Sequence, residues 1–98
     1  MTITATELKQ RLNNGETLNI IDVREVYEFE ESKIPTAINI PLGNITVQIA
    51  ELEHLKNEEL IMQCRSGHRS GIAQQILMSA GFTNVKNLEG GILAWQAL

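Results

Sequence analysis

The chain has 98 residues, 43 % hydrophobic and 20 % charged, which is the composition of one ordinary domain, and residues 1–98 are expected to form it, burying about 60–68 % of the unfolded surface. A net charge of −4 with scattered acidic residues excludes the extended basic field that drives nucleic-acid binding. No apolar run approaches the ~20 residues of a membrane helix, and the opening MTITATELKQ has no basic-then-apolar leader pattern, so the chain is expected in the cytoplasm with neither nucleic acid nor membrane as partner.

Thr4 followed by Glu7 has capping-box spacing and announces a helix that closes near Asn13, Asn14 and Gly15, with Leu8 and Leu12 on its buried face. Leu18 to Val23 (LNIIDV) is rich in β-branched side chains and predicts a strand covered on both faces. Glu25 to Ser32 predicts a short acidic helix. Pro35 and Pro41 bracket a brief strand over Ala37 to Ile40, since proline suits strand borders and breaks helices.

Ile45, Ile49, Leu52 and Leu55 recur at helical spacing, so Asn44 to Leu55 is expected to be an amphipathic helix capped by Asn44. Glu59 to Gln63 is the next strand, Cys64 to Arg69 a loop, and Ser70 to Ala80 a helix with Ile72, Ala73, Ile76, Leu77 and Ala80 as its apolar stripe. Gly81 stands where a left-handed C-cap belongs. Val85 to Leu88 is a last strand, and Gly90 and Gly91 open a closing helix through Ile92, Leu93 and Trp95. Strands alternating with helices predict an α/β fold with a parallel sheet between helical layers, and ligands in such folds gather at the carboxyl ends of the strands. Cys64 falls there.

Cys64 is the only cysteine, so it makes no internal disulfide, as suits a reducing compartment. The stretch CRSGHRS surrounds it with Arg65, Ser66, Gly67, His68, Arg69 and Ser70. A tight turn at Gly67 followed by a helix N-terminus directs backbone NH groups toward the sulfur, and the two arginines add positive charge. Such surroundings favour the thiolate, lowering a thiol from ~8.5 into the range of roughly 3.5–7.5, and make Cys64 a candidate nucleophile that carries a transferred group. The opposing reading is an inert core thiol, since free cysteine is among the most buried residue types.

CRSGHRS resembles the active-site loop of the rhodanese family. IDVRE (Ile21–Glu25), IPTAINIP (Ile34–Pro41) and LEGGILAW (Leu88–Trp95) resemble three further family segments in the same order. Where the family has Gly-His-Ile-Pro-Gly, this chain has Ser32, Lys33, Ile34, Pro35 and Thr36. The resemblance implies a three-layer α/β/α fold around a mainly parallel five-stranded sheet, and sulfane-sulfur transfer without a cofactor. Cys64 would attack the outer sulfur of a small anionic donor such as thiosulfate, release sulfite, and hold a persulfide for cyanide, a thiol or a protein dithiol. Arg65 and Arg69 would receive the donor, Gly67 would shape the cradle, and Ser66, His68 and Ser70 would form the mouth. Two alternatives stay open: a noncatalytic binding or regulatory module, and a cysteine phosphatase or arsenate reductase. The latter families place five residues between cysteine and arginine, whereas Cys64 and Arg69 enclose four.

The remaining candidates have blander readings. His68 is expected on the solvated rim. Cys64, His68 and distant His54 lack zinc-site spacing, and no metal is predicted. Asp22 and Arg24 are expected to be structural near the site, the carboxylate tying down backbone NH groups and Arg24 pairing with Glu28 or another acid. Trp95 is expected to pack, with the adjacent glycines allowing close approach. Met62 and Met78 are assigned to the core. Glu25, Glu28, Glu30 and Glu31, like Glu51, Glu53, Glu58 and Glu59, read as solvated surface or as a docking patch for a basic partner.

Overall fold

The dense apolar runs become strands with both faces covered, as a parallel sheet between helices requires. In the computed structural model, which describes residues 1–98, the chain runs β1 (Thr2–Ile3), α1 (Ala5–Asn13), β2 (Asn19–Asp22), α2 (Val26–Glu31), β3 (Ile38–Asn39), α3 (Ile45–Leu52), β4 (Leu60–Gln63), α4 (His68–Ser79), β5 (Val85–Leu88) and α5 (Gly91–Gln96). The five strands form one sheet in the order β1-β5-β4-β2-β3. Every pairing is parallel, which establishes the expected α/β architecture.

The two-residue period of a strand splits the core. Ile21, Val23, Leu60, Met62 and Cys64 face α3 and α4 with Ile45, Leu52, Ala73 and Leu77. Ile20, Ile61 and Leu88 face the other layer, packing with Leu8 of α1, Ile34 and Ile92 of α5. The central strands β4 and β2 are thus sandwiched, and β4 delivers Cys64 at its carboxyl end, 1 % exposed. No helix is long and apolar enough to cross a membrane.

The helix signals hold where local chemistry dominates. Thr4 and Glu7 form the reciprocal capping box, with hydrogen bonds of 3.0 and 3.1 Å. At the end of α4, Gly81 donates to the Met78 carbonyl and Phe82 to Leu77, the hydrogen-bond pair of a Schellman cap. Other expectations need correction. β1 has only two residues, too few for a period-2 signal, and it exists because β5 offers it an edge. Asn44 makes no side-chain cap: its backbone is already helical, because the turn Leu42–Asn44 leads directly into α3. The helix expected from Ser70 starts at His68, so the loop is only Cys64–Gly67.

Met78 and Ile72, assigned to the core and to the apolar stripe, are 44 % and 42 % exposed. The face of α4 that docks on the sheet carries Ser70, Ala73, Gln74 and Leu77 instead. Gln74 earns a buried place by donating to the carbonyls of Met1 and Val85, both at 2.8 Å. Glu59 is not solvated surface either. Arg11 of α1 grips it with a two-point ion pair at 2.6 and 3.0 Å and Lys86 of β5 adds a second cation, so its carboxyl is held down to about 2, chiefly by the Arg11 hydrogen bonds.

Candidate active site

β4 ends where its pairing with β2 ends, at Gln63 beside Asp22. The next residue is Cys64, and the chain then turns sharply because Gly67 takes φ +112°, a conformation that side chains with a Cβ rarely adopt. That turn aims the Gly67 NH at Sγ, 3.1 Å away. The helix starts immediately, so Ser70 lies in its first turn, and its hydroxyl is 3.3 Å from Sγ. Ser70 therefore touches the sulfur from a buried position instead of lining the mouth. Burial pushes the Cys64 thiol up, but hydrogen bonds from the Ser70 hydroxyl and from the NH groups of Ser70, Gly67 and Ser66 outweigh it. The net effect holds the thiol below its ordinary value.

Asn87 of β5 carries a part that no sequence motif indicated. Its Nδ2 donates to the Gly67 carbonyl at 3.0 Å, fixing both the turn and the orientation of the amide. Its Oδ1 then lies 2.6 Å from the Ser70 hydroxyl. The hydroxyl has one proton for two acceptors, Asn87 and the sulfur, and an ionised sulfur is the stronger one.

The closing helix completes the cradle from behind. The NH groups of Ile92 and Leu93 donate to the carbonyls of Cys64 and Arg65 at 2.9 and 3.2 Å. Gly91 makes this approach possible: a Cβ there would lie 2.4–2.5 Å from those carbonyl groups. The Gln63 side chain also donates to the Cys64 carbonyl, at 2.9 Å. Carbonyls are thus drawn back and NH groups left forward, which gives the loop the polarity of an anion site.

Asp22 and Arg24 form a buried ion pair at 2.7 Å. Asp22 also accepts the Arg24 backbone NH at 3.0 Å, and Arg24 reaches on to the Ser32 carbonyl at 2.7 Å. Arg24 pairs with Asp22, and Glu28 is taken by Arg69 through hydrogen bonds of 2.7 and 3.1 Å. Glu28 is thus a partly buried ion-pair partner and not solvated surface. The Arg69 contacts hold its carboxyl down to about 2. Arg65, Ser66 and His68 are exposed on the rim. Trp95 is half-buried against the layer that contains Ile92, with the Lys9 ammonium 5.8 Å from its ring centroid.

Residues 4–98 match the family model described as Rhodanese-like domain. A protein of Allochromatium vinosum named Sulfurtransferase is 37 % identical over 93 residues, covering 95 % of this chain and 85 % of the relative. The Bacillus subtilis protein YrkF is 39 % identical over 87 residues, 89 % of this chain, which spans only 46 % of that protein's length. Among solved structures, a rhodanese-like domain protein of Staphylococcus aureus superposes with a TM-score of 0.87 at 34 % identity, covering 97 % of this chain and 91 % of that one. Motifs, parallel sheet, cysteine loop and relatives converge, and the chain belongs to the rhodanese-like sulfurtransferase family.

Proposed function

We propose that this chain moves sulfane sulfur from a small anionic donor such as thiosulfate to a thiophilic acceptor through a persulfide on Cys64. The observation that carries this reading is the sulfur at the end of β4, facing the Gly67 NH at 3.1 Å and the Ser70 hydroxyl at 3.3 Å. In the first step the Cys64 thiolate attacks the outer sulfur of thiosulfate. The new Sγ–S bond forms as the donor's S–S bond breaks, and sulfite leaves with the electron pair. The terminal sulfur keeps a negative charge, which the forward-facing NH groups stabilise as they did the thiolate. In the second step cyanide, a thiol or a protein dithiol attacks that terminal sulfur and releases the Cys64 thiolate.

Arg65 sits at the rim to draw in the anion, while Ser66 and His68 border its approach. Asp22 and Arg24 keep the end of β2 rigid beside the loop. The chemistry calls for no cofactor and suits a reducing cytoplasm, where dithiol acceptors are available. The name of the Allochromatium relative supports the same reaction class.

Incubation of the pure protein with thiosulfate is expected to add the mass of one sulfur atom, with sulfite released, and Cys64→Ser is expected to remain unmodified. A wild-type protein that stays unmodified, with no sulfite formed, rejects the proposal. Loading without turnover by any acceptor favours the noncatalytic module.

A further inference from the structure

One acidic side chain stands against the sulfur loop and has no part in the transfer chemistry above. Both carboxylate oxygens of Glu28 accept hydrogen bonds from Arg69, a forked ion pair between α2 and the first turn of α4. Oε1 also accepts the Glu25 backbone NH at 3.0 Å, so the carboxylate is held from two sides. The pair is sheltered, with the Glu28 side chain 16 % exposed and that of Arg69 32 %. Arg69 is therefore a compensated charge. Asp22 and Arg24 neutralise each other, which leaves exposed Arg65 as the one loop cation without an ion-pair partner. Once Cys64 is ionised, the fixed charge around it is close to zero.

We propose that Glu28 is a positioning residue for donor selection: by occupying Arg69 it biases the site toward sulfane sulfur on a low-charge organic persulfide, R–S–SH, over the thiosulfate dianion. This inference rests on the Cys64 persulfide reading. With such a donor the thiolate attacks the terminal sulfur and the donor's S–S bond breaks. The electron pair leaves on RS⁻, and Cys64 becomes Cys–S–SH with the donor's own proton. Thiosulfate undergoes the same displacement but brings two negative charges to an ionised sulfur, a repulsion that the loop NH groups offset in part and uncompensated cations would offset further.

Glu28→Gln is the test, because glutamine keeps one oxygen for the Glu25 NH and Arg69, which preserves the capping box, while it removes the charge and the second acceptor of the forked pair. With thiosulfate, kcat/KM is expected to rise about fivefold, chiefly through KM, as one nearby unit charge in a largely aqueous dielectric implies. With hydroxyethyl persulfide, whose acidic S–SH carries at most one negative charge, it is expected to change by no more than about twofold, half the thiosulfate effect on a logarithmic scale. Arg69→Gln, which uncovers Glu28, is expected to depress the thiosulfate rate selectively, and the double variant to restore the wild-type donor ratio. A purely structural pair predicts instead that both donors suffer together and that the double variant recovers nothing.

The wild-type protein supplies an independent measurement. Its rate of loading by thiosulfate is expected to depend only weakly on ionic strength, and a steep fall with salt, the mark of an uncompensated cationic site, overturns the inference. If both donors load Cys64 and Glu28→Gln leaves their ratio unchanged, this inference fails while the persulfide reading stands. If neither donor loads Cys64, both fall.

Discussion

The Ser70 hydroxyl stands between two acceptors, 2.6 Å from Asn87 and 3.3 Å from the sulfur, and its proton matters most when the sulfur is charged. Ser70→Ala removes a donor to the thiolate and none that the neutral thiol requires. The titration of Cys64 is therefore expected to move to higher pH, read from the rate of alkylation by iodoacetamide across pH. A profile that stays in place shows the NH groups alone sufficient. At Thr36 the chain carries φ +71° in a turn closed by the Ala37 NH on the Ile34 carbonyl at 3.1 Å. Pro35 and Thr36 are its central residues, and this turn type requires positive φ at the second of them, the position where the family segment has glycine. A β-branched residue in that conformation is strained by about 1–2 kcal/mol. Thr36→Gly is expected to stabilise the protein by about 0.5–1 kcal/mol, since glycine's extra unfolded-state entropy returns part of the gain; the denaturant midpoint measures it.

At the scale of elements, the site exists because three of them meet. β4 brings the sulfur to the sheet end, the N-cap of α4, Gly67, stands three residues past Cys64, and α5 holds the loop carbonyls from behind. The docking of α5 tolerates no side chain at residue 91, where φ is +57° and a Cβ would meet backbone at 2.4 Å. Gly91→Ala is expected to cost about 2–4 kcal/mol through combined strain and overpacking. It is also expected to slow sulfur loading, because the carbonyls of Cys64 and Arg65 lose their hold. Thermal unfolding and intact-mass kinetics give the two readouts, and a variant as stable as wild type would show that α5 does not brace the loop. The sequence announced α5 through Gly90, Gly91 and Trp95, but nothing local to that segment named the two carbonyls it grips.

Across the whole molecule, two ion pairs fasten elements far apart in sequence. Arg69–Glu28 joins α4 to α2, and Arg11–Glu59 joins α1 to the start of β4. Both carboxyls are held down to about 2, below the ordinary glutamate value of about 4.3 expected in the unfolded chain. The folded state therefore binds fewer protons, and its advantage is complete above about pH 4.3 and lost as pH falls toward 2. The urea midpoint is expected to drop between about pH 5 and pH 3. Glu59→Gln is expected to start lower at neutral pH and to lose less on acidification. Equal losses in both proteins would remove Glu59 from the account.

By itself the sequence determined the alternation of strands and helices, the caps at Thr4 and Gly81, and the cysteine at a strand's carboxyl end. Those features rest on contacts within a few residues: a capping box, a Schellman cap, β-branched runs and a turn glycine. Tertiary structure alone decided that Arg69 answers to Glu28, 41 positions away, that Asn87 sets the Ser70 hydroxyl and the Gly67 carbonyl, and that Met78 faces solvent. It also decided that β1 is a strand at all. Side-chain pairing between distant elements, and the face a helix turns to the sheet, follow from how whole layers pack, and no short window of sequence contains both partners.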